Sequence, residues 1–286
     1  MDNRSILERV KDSLEEVASM PHVAAKALEL LNEAEPSAAV LSKVFELDMV
    51  LTGKLLKIVN SAYYGFTKQV TTVPQAITIL GHDNLKSILI STIAFELFSK
   101  GKGGLIPPQG LWLHSLGTAS FSQALARELN LPKPEEYYIV GLLHDIGKLI
   151  LDQNISEEFR KVMTIVKSRR LAIYEVEDQI LGINHSDIGH MVALYWKIPE
   201  KVAMAIKFHH ILSQCSDKDI LQMASIVQMS DFFCNLQHMG DSGNIKVSLV
   251  QKEAKEIVNL APDIKQKIIQ EVKQDIEKAK NFFEIK

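Results

Sequence analysis

Tyr138–Leu151 reads YIVGLLHDIGKLIL, and its spacing decides the fold. Ile139, Leu142, Leu143, Ile146 and Leu149 recur at three- and four-residue steps, the period of a helix with one buried face. His144 and Asp145 interrupt that apolar pattern. Adjacent helical residues point about 100° apart, so the pair cannot stack along one face. At a helix end that opens onto a cavity, both side chains can converge on one ion. Imidazole is the commonest metal ligand, and a carboxylate beside it lowers the charge of the site and can bridge two cations. Gly147 permits close approach or a local break. Lys148, one turn from His144, carries an ammonium able to hold a phosphate against a metal.

The same helical period extends outward in both directions. Leu51, Leu55, Leu56 and Val59 mark another helix, and sustained period-2 alternation is missing. The 14 glycines are too few and too scattered for the regular turns of a β-sandwich. The expected fold is therefore all-α, a multi-helix bundle. Its strongest break is Gly101–Pro108 (GKGGLIPP), with three glycines and two prolines in eight residues. This divides the chain into an N-terminal helical part (1–100), a linker (101–108) and a second helical domain (109–286). Helices are expected near 5–18, 22–34, 37–47, 49–60, 73–80 and 83–99, with turns at Pro36, Asn60–Gly65 and Gly81. Beyond the linker they are expected near 110–129, 133–151, 155–168, 171–181, 185–196, 199–212, 217–239, 246–259 and 262–283.

Composition excludes several classes. The net charge of −3, from 32 basic and 35 acidic residues without a basic cluster, argues against broad nucleic-acid capture. The N-terminus, MDNRSILERVKDSLEE, is charged from its start and has no signal-peptide core. The longest apolar run, Ser87–Phe98, contains a Glu and falls far short of the ~20 residues that span a bilayer. Cys215 and Cys234 form no CxxC and read as reduced core thiols. A cytoplasmic location is expected.

Either residue of the His144-Asp145 pair alone would read as a core or capping residue, but companions exist. His114 lies in LWLHSLG, His185 in NHSDIGH, His209-His210 end VAMAIKFHH, and Asp231 sits in QMSDFF. Each falls where the pattern predicts a buried face. Burying so many ionisable groups without partners would cost several kcal/mol each, and a shared metal satisfies them together.

The order His114, His144-Asp145, Asp231 resembles the signature of the HD superfamily of metal-dependent phosphohydrolases. His185 and His209-His210 resemble the extra ligands of its HD-GYP branch. That resemblance implies one ion on His114, His144, Asp145 and Asp231, and a second on His185, His209 and His210, with Asp145 bridging. Ligand type allows Fe, Mn, Ni, Co or Zn, as one or two divalent ions. In the N-terminal part, Ser19-Met20-Pro21, FELDMVLTGKLLKIVNSAYYGF and VPQAITILGHDNLKSILIS resemble the HDOD domain of bacterial regulatory proteins, over roughly residues 15 to 215. The HDOD resemblance implies a helical signal-transduction protein that works through a protein partner.

The departures separate two functions. HD-GYP phosphodiesterases follow their His-His with a Glu and a Gly-Tyr-Pro loop, whereas His210 here runs into Ile211-Leu212-Ser213-Gln214 and no Gly-Tyr-Pro occurs. Gly110 stands where those enzymes place an acidic ligand. The expectation is a regulatory or interaction module that keeps an HD-type metal site. The alternative is a working phosphohydrolase on a nucleotide or other phosphate ester, with Asp145 bridging and Lys148 gripping phosphate. A helical protein without metal is the third reading.

Other features have plainer readings. His22 follows Pro21 as a cap, while His82, His190 and His238 read as turn, surface or supporting residues. Trp112 and Trp196 read as core, and Ser61 as structural. Ile264, Ile268, Val272 and Ile276 make one apolar stripe on the last helix. Packing on its own domain is the default for that stripe, and a homo-oligomer or partner surface is the alternative.

Overall fold

Side-chain caps start several of the helices that the periodicity announces. Ser37, Asp48, Asn184 and Asp217 each accept hydrogen bonds from backbone N–H groups two or three residues on. Those groups have no partner inside a helix, so each cap fixes where the chain begins to coil.

The computed structural model describes residues 5–17, 20–33, 36–60, 69–100 and 104–283. Its helices are α1 (Ile6–Val17), α2 (His22–Leu31), α3 (Ala38–Glu46), α4 (Met49–Val59), α5 (Val73–Lys100), α6 (Pro108–Glu128), α7 (Pro134–Leu143) and α8 (Ile146–Asn154). They continue with α9 (Ser156–Arg169), α10 (Ile173–Leu181), α11 (His185–Tyr195), α12 (Glu200–Phe208), α13 (Lys218–Leu236), α14 (Lys252–Ile257) and α15 (Pro262–Phe283). A 3₁₀ turn, Leu212–Gln214, precedes α13. No strand occurs among the described residues, and the fold is all-α. Ser19, Ser61 through Gly65, and Gly101 through Gly103 of the expected linker lie outside the described residues.

Several helix boundaries depart from the periodicity, and the helix expected over 199–212 ends at Phe208. The expected helix over 133–151 is broken between α7 and α8, with His144 and Asp145 at the break. The expected helix over 246–259 shrinks to α14. Its first residues are extended because other groups hold them: Gln251 donates its backbone N–H to Gln228 Oε1 at 2.8 Å. Gly81 gives the expected bend within α5, with φ of 74° and ψ of 170°, a conformation suited to glycine. His22 opens α2 as its first helical residue, and Pro21 rather than His22 occupies the cap position.

Buried hydrophobic side chains form one cluster that runs from Val10 to Ala279. The N-terminal helices meet the later ones directly. Arg9 pairs with Glu158 at 2.6 Å, Asn32 Nδ2 donates to the Lys197 carbonyl at 2.8 Å, and α5 packs on α6 and α7. Asp152 pins the end of the linker by accepting from the Leu105 and Ile106 N–H groups, each at 3.0 Å. The apolar stripe of α15 packs on α6, with Ile268, Val272 and Ile276 buried. Cys215 and Cys234 are buried free thiols, and burial pushes the Cys234 thiol up. No helix among the described residues is long and apolar enough to cross a membrane. The helices α6, α7, α8, α11, α12 and α13 pack against one another and surround the polar cluster described next.

Candidate metal centre

Helix ends deliver most of the cluster. His144 follows the last residue of α7, and its Nδ1–H donates to the Gly141 carbonyl at 2.7 Å. His209 follows the last residue of α12 and does the same with the Ile206 carbonyl at 2.7 Å. Both imidazoles satisfy a carbonyl that a helix terminus leaves open. A carbonyl only accepts, so each ring carries a proton on Nδ1 and, when neutral, turns a bare Nε2 inward. His185, the first residue of α11, receives the same instruction from Glu177 on α10. Glu177 Oε2 accepts from His185 Nδ1 at 2.5 Å and from the His185 backbone N–H at 2.9 Å.

His114 from the middle of α6 and Asp231 from α13 complete the wall, with His114 Nε2 2.9 Å from Asp231 Oδ1. Asn235 Nδ2 orients that carboxylate with a hydrogen bond of 2.6 Å. Asp145 stands between two groups of rings. Its Oδ2 lies 3.4 Å from His144 Nε2 and 3.7 Å from His114 Nε2, while its Oδ1 lies 3.3 Å from His185 Nε2. His185 Nε2 and His210 Nε2 are 2.9 Å apart. The ligand atoms fall into two overlapping groups, His114, His144 and Asp145 in one, and Asp145, His185, His209 and His210 in the other. Asp231 adjoins the first group, its Oδ1 3.7 Å from His144 Nε2.

These separations suit a cation. Ligands ~2.1 Å from an ion at octahedral or tetrahedral angles stand roughly 3.0–3.4 Å from each other. His114 Nε2, His144 Nε2, His209 Nε2 and Asp145 Oδ1 are buried atoms with no hydrogen-bond partner. Four such orphans across two adjoining ligand groups are expensive unless something fills the space between them. Their protonation preferences also conflict. Burial opposes a charge on His144, but the Asp145 and Asp231 carboxylates win and raise its pKa to about 9. Burial, then the neighbouring His144 and His185, push His209 down to about 3. Burial and the adjacent His209 hold His210 well below the usual imidazole range. Burial opposes ionisation of Asp145 and Asp231, yet His144 and Lys148 beside Asp145, and the hydrogen bonds of His114 and His144 to Asp231, hold both carboxyls well below the usual range. One or two divalent cations would remove this conflict by giving the bare nitrogens and both carboxylates a cationic partner.

Lys148 does something other than wait for a ligand. It is fully buried, donates to Asp145 Oδ2 at 2.7 Å, and donates to the Ser242 carbonyl at 3.2 Å. The phosphate-gripping role expected from sequence would require it to leave both partners. The structure presents it as the residue that fixes Asp145. Gly110 backs the cluster through its backbone: its carbonyl accepts from the Asp241 N–H at 2.9 Å. His190 is half-buried and stands outside the two ligand groups, as its spacing from His185 implies.

Glu177 is the residue that sequence reasoning missed. A signal was present, because Glu177 lies four residues after Ile173 and four before Leu181, on the buried stripe of α10. A cleft of about 480 Å³ was also missed; it reaches His210 from outside and is lined by residues from three stretches, among them Arg170, Tyr174, Ile211, Lys246 and Leu249.

An all-helical bundle holds His114, His144-Asp145 and Asp231 together at its centre. The chain belongs to the HDOD domain family, whose pattern matches residues 17–212. Its fold is similar to that of an HDOD domain protein of unknown function from Geobacter sulfurreducens (TM-score 0.78, 22% identity, 96% of this chain and 97% of that one). It is also similar to a candidate metal-dependent phosphohydrolase from Shewanella amazonensis (TM-score 0.62, 17% identity, 96% and 95% covered). At these identities the likeness shows the fold alone. Among curated relatives, an uncharacterised protein of Treponema pallidum is 27% identical over 218 residues, which is 75% of this chain and 40% of the relative. The chain thus spans 40% or less of the length of the curated relatives it matches.

Proposed function

We propose that this chain is a signalling module in which a buried metal centre fixes the conformation that a partner protein reads. His114, His144, Asp145 and Asp231 hold one divalent transition-metal ion; His185, His209 and His210 hold a second, and Asp145 serves both. The observation that carries the reading is the set of four unpartnered buried ligand atoms on His114, His144, His209 and Asp145. Support also comes from the Nδ1 hydrogen bonds of His144, His185 and His209, which leave Nε2 of His144 to the first ligand group and Nε2 of His185 and His209 to the second. Such ions, when bound, supply positive charge that tightens the packing of the surrounding helices and can polarise a phosphate oxygen. The chain's own residues set the centre: Lys148 balances Asp145, Glu177 orients His185, and Asn235 orients Asp231.

Elemental analysis of untagged protein, purified without chelator, tests the reading. At least ~0.5 equivalent of a transition metal is expected, since metal binding and folding are coupled at such sites. Protein that contains none, and takes none up on titration, would remove it.

A second reading, a metal-dependent phosphohydrolase, is favoured by the cleft that leads from solvent to His210. Against it stand Ile211 and the buried Leu212, which follow the His-His pair where HD-GYP enzymes carry their substrate loop. Turnover of a generic phosphate ester that disappears in His144→Ala would favour this second reading.

A further inference from the structure

The cleft beside His210 has a composition that its neighbours do not explain. Arg170 and Lys246, from segments far apart in sequence, both line it, and both are exposed. Neither has a carboxylate within salt-bridge distance among the described residues, whereas several other surface lysines do. One carboxylate, Glu175, shares the lining and already accepts from the Tyr174 hydroxyl at 3.3 Å. Arg170 ends α9 in the left-handed region, with φ of 55° and ψ of 42°, a costly conformation for a residue with a side chain. Leu171, Ile211 and Leu249 give the lining an apolar part, with Leu249 82% exposed, while Ser213, Ser248 and Gln251 add uncharged polar groups. At the inner end the Tyr174 ring stacks on His210, with centroids 4.5 Å apart and planes at 10°. The first turn of α10 adds N–H groups that no side chain caps.

We infer that this cleft binds a phosphate ester of a mid-sized organic group, of the mononucleotide class, as the ligand that the module senses. The guanidinium and the ammonium take the phosphate, and the Leu171, Ile211 and Leu249 wall takes the organic part. A volume of about 480 Å³ is more than a bare phosphate needs and falls in the range of small-molecule sites. The inference rests on the metal reading in one respect, because His210 joins the cleft to the metal centre. Gln251 makes a second link, lining the cleft while its side chain donates to the His210 carbonyl at 2.5 Å. A ligand that moves the 246–251 segment therefore acts on His210 without touching the metal.

The probe is 5′-AMP, titrated by calorimetry into the full chain and compared with adenosine. AMP is expected to bind at least ~10-fold tighter than adenosine, since the phosphate carries the charge-assisted contacts. Arg170→Gln with Lys246→Gln should remove that preference, while Lys201→Gln, outside the cleft, should leave it unchanged. AMP that binds no better than adenosine, or that binds the double variant as well as the parent, overturns the inference. So does a loss in Lys201→Gln equal to that in the double variant, which would mean diffuse charge attraction. Metal content measured on the same samples separates this result from the metal reading. Full metal with no charge-dependent AMP binding sinks the cleft alone, and AMP binding that depends on Arg170 and Lys246 in metal-free protein sinks the metal centre alone.

Discussion

Glu177 holds His185 at two points, with one carboxylate oxygen 2.5 Å from the ring Nδ1 and 2.9 Å from the backbone N–H. Both residues are fully buried, so the pair sets the tautomer of the ring and the position of the first turn of α11 together.

Replacing Glu177 with Gln keeps the size but weakens this control, because the amide can present its NH₂ to Nδ1 and let the proton move to Nε2. Affinity at the His185, His209 and His210 position should fall by about 10- to 100-fold, the usual loss when a group that orients a metal-binding histidine is removed. The His114, His144 and Asp231 position should change little. Competition titration with a chromophoric chelator reads both sites, and equal affinity in Glu177→Gln and the parent would sink the claim that Glu177 positions His185.

Asp145 is placed to matter more than any single ring. Its two oxygens face different groups of nitrogens, 3.4 Å from His144 and 3.3 Å from His185. Asp145→Asn should lower metal content at both positions, whereas His185→Ala should empty one. The asparagine variant also leaves the buried Lys148 ammonium without its anion, a situation that typically costs about 3–5 kcal/mol. Thermal unfolding measured beside elemental analysis separates the two effects. A milder metal defect in Asp145→Asn than in His185→Ala would mean that the carboxylate is not shared.

The helical fold was legible because apolar spacing reports burial directly, as at Leu51, Leu55 and Val59, all of which are buried in α4. The convergence of His114, His144, Asp145, His185, His209, His210 and Asp231 was legible for a related reason, since each polar residue interrupts an apolar face. The break at His144-Asp145 was hidden, because residues on either side keep helical spacing across it. The inward role of Lys148 was hidden too: sequence gives its distance along the chain from Asp145 but not the Ser242 carbonyl that holds its other side. The cleft of Arg170 and Lys246 joins segments some 76 positions apart, and no local pattern announces such a meeting.

Gly147 carries a structural demand that can be tested apart from metal. A Cβ there would lie 2.1 Å from the His185 carbonyl oxygen and 2.8 Å from its Cα, both backbone atoms that cannot swing aside. Gly147→Ala should therefore push α8 from α11 and destabilise the protein by at least ~2 kcal/mol, within the range for overpacked cores. Urea unfolding of metal-free protein gives the figure directly. A loss below ~0.5 kcal/mol, the size of an ordinary surface substitution, would show that the contact is softer than the geometry states.

Cyclic di-GMP should not be turned over at an enzymatically useful rate, even with Mn or Fe supplied. Ligands alone do not make a phosphodiesterase, because the substrate must also be gripped and aligned for in-line attack. Lys148, the nearest cation in sequence to the His-Asp pair, is committed to Asp145 and the Ser242 carbonyl. Ile211 follows His210 directly, and the chain then turns through Leu212–Gln214 with Leu212 buried, where HD-GYP enzymes carry a Glu and a Gly-Tyr-Pro loop. Arg170 and Lys246 offer charge only along the outer cleft. Chromatographic detection of the linear dinucleotide, with His144→Ala as the control, decides the matter. Product formed faster than about 1 per second and absent from the control would overturn the regulatory reading, since ordinary enzymes work at or above that rate.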